Sequence, residues 1–398
     1  MHGWLNLMAP EVRANPYPFY AELRRHPSLA RVEPGGFWAV SRQADVLHVL
    51  KNPQLFSSTG NRVVSEPEWL GQHNPFAESI VMLDPPRHTR MRALVNRAFG
   101  PTALARLEPR VRAYAEEVAA ALPAGRTVDF VESFALRVPA FVIGELLGLD
   151  AALHPRFKRW SDDIVSVAVT PPDALARQAE IRATFAEMEQ YLRGVLEDRR
   201  RHPREDMLSD LLAADMEGEA LSDVELMGFL FLLIVAGLET TIHLLGHSAL
   251  VLARHPDVLA RLHADSTLIP RFVEEVLRYE PPTHAVMRLT TAETELCGVH
   301  LAPGTPVVVL IGSACHDETV YPGADHFDLD RGGPQNMPFG HGIHFCLGAP
   351  LARMEARLAL EALLARFGRL SRDAGPVQWN QSLVVRGPAV LPLTLWRA

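Results

Sequence analysis

Between Glu219 and Ala253 the chain carries no lysine or arginine, and from Leu226 to Leu252 it is apolar almost without break. Ser222 and Glu225 precede this stretch with the Ser-x-x-Glu spacing of a capping box, which marks a helix start. A helix that is apolar on every side has no face to offer water, so other elements must enclose it. Its longest unbroken apolar run, Leu226 to Leu238, is 13 residues. That is short of the roughly 20 needed to cross a bilayer. The chain is therefore expected to wrap the rest of its helices around this segment.

The flanking sequence supplies them. Helical periodicity predicts helices at Tyr17–Arg25, Gln43–Leu50, Thr89–Phe99, Leu104–Leu122 and Phe141–Leu147. A long helix over Asp173–Arg201 carries Ile181, Phe185, Met188 and Leu192 on one face. Further helices are expected at Pro270–Tyr279, stopped by Pro281 and Pro282, and at Leu347–Phe367. Strand-like stretches cluster late, at Ala285–Leu289, Pro306–Leu310, Ser382–Val385 and Val390–Trp396. The pattern is that of a mainly helical α+β chain with minor sheets. Its 31 prolines and 26 glycines are dispersed, so residues 1–398 read as a single domain.

Composition excludes several classes. With 39 basic and 47 acidic residues the net charge is −8, which offers no field for nucleic acid. Hydrophobic residues make up 48%, enough for a folded core rather than a disordered chain. The three cysteines, Cys297, Cys315 and Cys346, form no C-x-x-C pair, which argues against a disulfide scaffold or structural zinc and for a reducing interior. Met1 to Tyr20 holds Pro10, Glu11, Arg13, Pro16 and Pro18 and no apolar centre, so neither a signal peptide nor an anchor is expected. A cytoplasmic, soluble protein is the resulting expectation, without a membrane anchor or nucleic-acid partner.

Cys346 sits in Phe339-Gly-His-Gly-Ile-His-Phe-Cys-Leu-Gly348, just before the last predicted helix. The N–H groups and dipole of a helix start favour a thiolate. A lone thiolate is poorly suited to tetrahedral zinc, but suits an axial bond to haem iron. A free cysteine is otherwise usually a small buried residue. The ten-residue pattern Phe-Gly-x-Gly-x-His-x-Cys-x-Gly resembles the haem-binding loop of the cytochrome P450 family, matching at six defined positions.

Two further segments fit the resemblance. Ala236-Gly-Leu-Glu-Thr-Thr241 lies in the apolar helix. Glycine there costs about 1 kcal/mol against alanine, so Gly237 is expected to admit a flat ligand or to widen the helix locally. Glu239 and Thr240 resemble the family's acid–alcohol pair that supplies protons for oxygen activation; the family often has aspartate where this chain has Glu239. Glu275-Val-Leu-Arg278 alone is a weak i, i+3 pair. In the family it resembles a structural ion pair that is completed by an arginine, here Arg331, and that holds the cysteine loop.

The resemblance implies the cytochrome P450 fold, with haem b between the long central helix and the cysteine-loop helix and Cys346 as its axial ligand. It implies cofactor contacts from His88, Arg92, Ala236, Gly237, Thr240, Arg288, Phe339, Gly340, His344 and Gly348. His88, Arg92, Arg288 and His344 would serve the propionates. It further implies a monomeric monooxygenase that uses O2, with NAD(P)H electrons arriving through a separate ferredoxin or flavodoxin and its reductase. Family topology puts the substrate pocket at Leu232, Val235, Ala236, His284, Val286, Met287, Val384 and Val385, with the loop Ser57–Val81 and the segment Ile164–Thr170. Most are apolar, as an apolar small-molecule substrate requires. His284 is read either as a donor to substrate oxygen or as a water-facing residue. Seven arginines against Glu108 between Arg87 and Arg112 are expected to form a docking patch for the acidic electron donor, with Arg97, Arg106 and Arg110 as its test positions. A peroxide-driven peroxygenase, which typically lacks the acid–alcohol pair, and a non-catalytic haem sensor or recruitment protein remain as alternatives.

Overall fold

The computed structural model describes residues 5–71, 74–216, 219–332, 337–372 and 375–397. Its centre is the helix Asp223–Arg254, which begins with the expected capping box between Ser222 and Glu225. By length and composition this helix could cross a membrane, yet 78% of its most apolar window is buried inside the protein. Helices Arg137–Leu147, His154–Ser166, Ile269–Tyr279 and Ala349–Leu364 pack against it, and their apolar faces join it in one continuous core.

A six-stranded mixed sheet lies to one side. Its order is Leu5–Asn6, Ala30–Glu33, Phe37–Val40, Pro306–Val309, Val286–Thr290 and Phe56–Ser57. Val308 sits opposite Met287 on an antiparallel neighbour and opposite Ala39 on a parallel one. Two faces result, one burying Val307 and Val309, the other Val308 and Met287.

Most predicted helices are present with shifted ends. Pro101 starts its helix three residues before Leu104, and Arg137 starts its helix four before Phe141. The last helix is shorter than expected, because Phe367 opens the strand Phe367–Ser371. Two strand expectations are corrected. Ser382–Val385 is a loop, since the Ser382 hydroxyl accepts from the Val384 and Val385 N–H groups and so displaces a ladder. Val390–Trp396 divides into Pro388–Val390 and Pro392–Arg397, because the Leu391 N–H turns to Asp129 Oδ1 at 2.9 Å. Helix His154–Ser166 was not anticipated. Its buried stripe Phe157, Trp160 and Ile164, with Pro155 in the first turn, was the available signal.

Candidate haem site

The cysteine loop is shaped by backbone bonds. Gly340 N–H donates to Met337 O at 2.9 Å, Phe345 N–H to Gly342 O at 3.1 Å, and Cys346 N–H to Phe339 O at 3.0 Å. Gly342 has φ +73°, and a Cβ there would lie 2.5 Å from Leu50 O, so only glycine fits this turn. Arg353 covers the Phe339 ring at 4.4 Å. Cys346 precedes the helix Ala349–Leu364 by three residues, so the N–H groups of Gly348 and Ala349 address its sulfur. Burial pushes the Cys346 thiol up, and those N–H groups, Arg92 and Arg353 offset this only in part. Cys346 would hold the iron of a bound haem as its thiolate, since coordination favours the deprotonated sulfur.

The structure brings His88, Arg92, Arg288 and His344 together. The two imidazole rings are 4.3 Å apart, and burial followed by Arg288, His88 and Arg92 drives His344 down to about 2. The neutral His344 ring meets Ser58 Oγ at 2.7 Å. Arg288 is buried and donates to the Met287 carbonyl, and Arg92 donates to Phe345 O at 2.9 Å. Neither arginine pairs with a carboxylate among the described residues. Both ring nitrogens of the buried His88 lack a partner. Unanswered cations and an orphaned imidazole are costly unless anionic groups complete them. Two propionates would do so; the donor set fits haem.

On the central helix Ala236, Gly237 and Thr240 interrupt the burial, with Leu232 a turn earlier. Thr240 Oγ donates to the Ala236 carbonyl at 2.7 Å. Gly237 also faces helix Arg137–Leu147, where a Cβ would lie 2.4 Å from Ile143 Cδ1. Glu239 is fully buried and reaches away to Lys158 at 3.5 Å and His243 at 3.3 Å. Burial pushes its carboxyl up, but Lys158, His243 and Ser161 outweigh it and hold the group at about 2. Lys158 also pairs with Asp162, whose carboxyl is raised to about 6 by burial and by Glu239. Lys158, Ser161 and Asp162 all come from the unanticipated helix, and nothing in the motif pointed to them.

Glu275 and Arg278 form a bidentate pair at 2.7 and 2.8 Å, and Arg331 Nε joins Glu275 at 3.1 Å. The Asp328 N–H donates to the same carboxylate at 3.0 Å. The arginines in turn donate to the carbonyls of Cys315, Pro322, Gly323, Ala324 and His326. The triad thus staples the segment that leads into the cysteine loop.

The pocket residues divide. Leu232, Ala236, Val286 and Val384 keep accessible surface, whereas Val235, Met287 and Val385 are packed into the core. The expectation for His284 is corrected. It is buried, with Nδ1 3.2 Å from Tyr20 Oη and the ring pressed on Gly312, where a Cβ would lie 2.9 Å away; it meets neither water nor pocket. Val64, Trp69 and Val167 line a cleft of about 440 Å³ with Phe37 and Leu383, which joins the two predicted wall segments. In the expected docking patch Arg87 and Arg90 pair with Glu78 and Glu225, Arg110 with Glu145, and Arg112 with Glu361 and Glu108. The Arg97 side chain lies outside the described residues.

Fold and site together define a haem-thiolate oxygenase scaffold. The cytochrome P450 family model matches residues 19–388, and the chain belongs to that family. The solved structure of cytochrome P450 CYP109Q5 from Chondromyces apiculatus superposes with TM-score 0.90 at 40% identity, covering 100% of both chains. CYP109E1 from Bacillus megaterium, solved with testosterone, gives TM-score 0.87 at 33% identity over 96% of this chain and 98% of that one. The erythromycin C-12 hydroxylase of Saccharopolyspora erythraea is 38% identical over 85% of this chain and 84% of its own length. The protein is a cytochrome P450 monooxygenase, and its family uses haem-thiolate iron and O2.

Proposed function

We propose that this monooxygenase inserts one oxygen atom of O2 into a C–H or C=C bond of an apolar small molecule, using electrons from separate redox proteins. The reading is carried by Ala236, Gly237 and Thr240, which stay accessible on an otherwise buried helix, with the charged acid Glu239 buried next in sequence to the Thr240 hydroxyl. Haem, when bound, supplies the redox and oxygen chemistry. Cys346 would supply its sulfur ligand, and His88, Arg92, Arg288 and His344 would hold its carboxylates. Thr240 passes a proton from its Oγ, and Glu239 resupplies it from the Lys158–Asp162 side. The apolar cleft, with Glu68 its one charged wall residue among those described, favours an apolar substrate over a carboxylate. Similarity to a protein solved with testosterone and to a macrolide hydroxylase supports a bulky apolar ligand.

The electron donor would be a ferredoxin or flavodoxin on the cysteine side; a cleft of about 730 Å³ beside Pro350, lined by Arg271, Arg353, Arg357, Glu108 and Glu274, supports this reading. The test is turnover of an apolar substrate with NAD(P)H, a ferredoxin and its reductase under 18O2. One labelled oxygen in the product is expected. Product with hydrogen peroxide but none with the redox chain would replace the reading with a peroxygenase. Haem without either activity would favour a sensor.

A further inference from the structure

His243 lies one turn beyond Glu239 on the central helix and is fully buried. Its Nε2 is 3.3 Å from one carboxylate oxygen of Glu239, while Lys158 Nζ approaches the other at 3.5 Å. Gly387 closes on the far side of the ring: a Cβ there would lie 2.2 Å from His243 Cγ and Nδ1. Pressed between backbone and core, neither ring nitrogen has a hydrogen bond of good geometry, and the Glu239 carboxylate 3.3 Å from Nε2 is its ion-pair partner among the described residues. Burial keeps the ring neutral, so it carries a single N–H. On Nδ1 that proton would face Gly387; on Nε2 it faces Glu239.

We propose that His243 is a positioning residue for Glu239, its Nε2–H holding one carboxylate oxygen while Lys158 holds the other. Resting on the proton-relay reading above, it makes the relay acid a group gripped from both sides and released only when one grip loosens. Ser161 and Asp162 face the same carboxylate from the helix that carries Lys158.

The test uses the haem-loaded protein and two substitutions of similar shape, H243Q, which keeps a donor, and H243M, which does not. H243M should raise the share of electrons lost to peroxide by about two- to fivefold, the scale of one hydrogen bond to a charged group, and H243Q should restore it. In thermal unfolding, H243M should lower Tm by about 3 °C in the parent. In an E239Q background it should do little. Equal behaviour of H243M and H243Q, or an equal Tm drop in both backgrounds, would overturn the proposal and leave His243 a packing residue. If H243M does not retain haem, H243Q alone decides: a parent-like peroxide share upholds the donor role, and a share matching E239Q overturns it. Parent-like peroxide in E239Q with the background-dependent Tm effect intact would uphold the contact while overturning the relay reading.

Discussion

Two buried carboxylates in this molecule are held in opposite ways. Glu275 is saturated: two oxygens take four donors from Arg278, Arg331 and the Asp328 backbone, at 2.7 to 3.1 Å. Glu239 meets the neutral His243 ring at 3.3 Å and the Lys158 ammonium at 3.5 Å, and its Oε1 has no well-aligned donor among the described residues. A fully satisfied buried network rigidifies what it touches, whereas a partly satisfied one can change partners at modest cost. On the proposed reading, the first holds the cysteine side still and the second leaves the relay acid free to change partners.

Breaking the rigid side should have the largest effect. Glu275→Ala would strand Arg278 and Arg331 as buried unpaired charges, a loss of about 3–5 kcal/mol. Haem content per protein should fall towards zero; a fully loaded variant would remove the staple from the account. Thr240→Ala, on the mobile side, should keep haem and substrate binding yet cut product about ten- to a hundredfold, with electrons recovered as peroxide. Substrate-induced spectral shifts and a peroxide assay on one sample check both halves.

A pH prediction sharpens the contrast. Asp162 is raised to about 6, so it is ionised and shares Lys158 above that pH. Below it Asp162 is neutral and Lys158 serves Glu239 alone. Product per electron should therefore decline as pH falls through about 6, and Asp162→Asn should flatten the profile. Because the folded-state value lies above the ordinary one, folding favours protonated Asp162, and this contribution is lost as pH rises from about 4 to 6. The smallest effects belong to the exposed charges. Reversal at Arg110, already paired with Glu145, should change electron-transfer rate less than reversal at Arg106, about twofold at most, read as the salt dependence of turnover with a ferredoxin.

How legible each region was in the sequence follows the same division. The cysteine loop and Glu275-x-x-Arg278 were readable because their chemistry is contiguous: fixed turns, a helix start and an i, i+3 pair. Arg331 came only with the family resemblance. On the mobile side Glu239 and Thr240 could be named, but their setting could not. The partners Lys158, Ser161 and Asp162 sit on a helix far away in sequence, and only packing decides that it lies beside the central one. His284 shows the same limit: read as meeting either substrate or water, it answers to Tyr20 and Gly312, which no local pattern displays.

The most direct measurement is the visible spectrum of the purified protein, reduced and exposed to carbon monoxide, beside Cys346→Ser. The account predicts a strongly red-shifted Soret band that is lost in the variant. A short-wavelength band in the parent, or well-folded protein that takes up no haem, would contradict it.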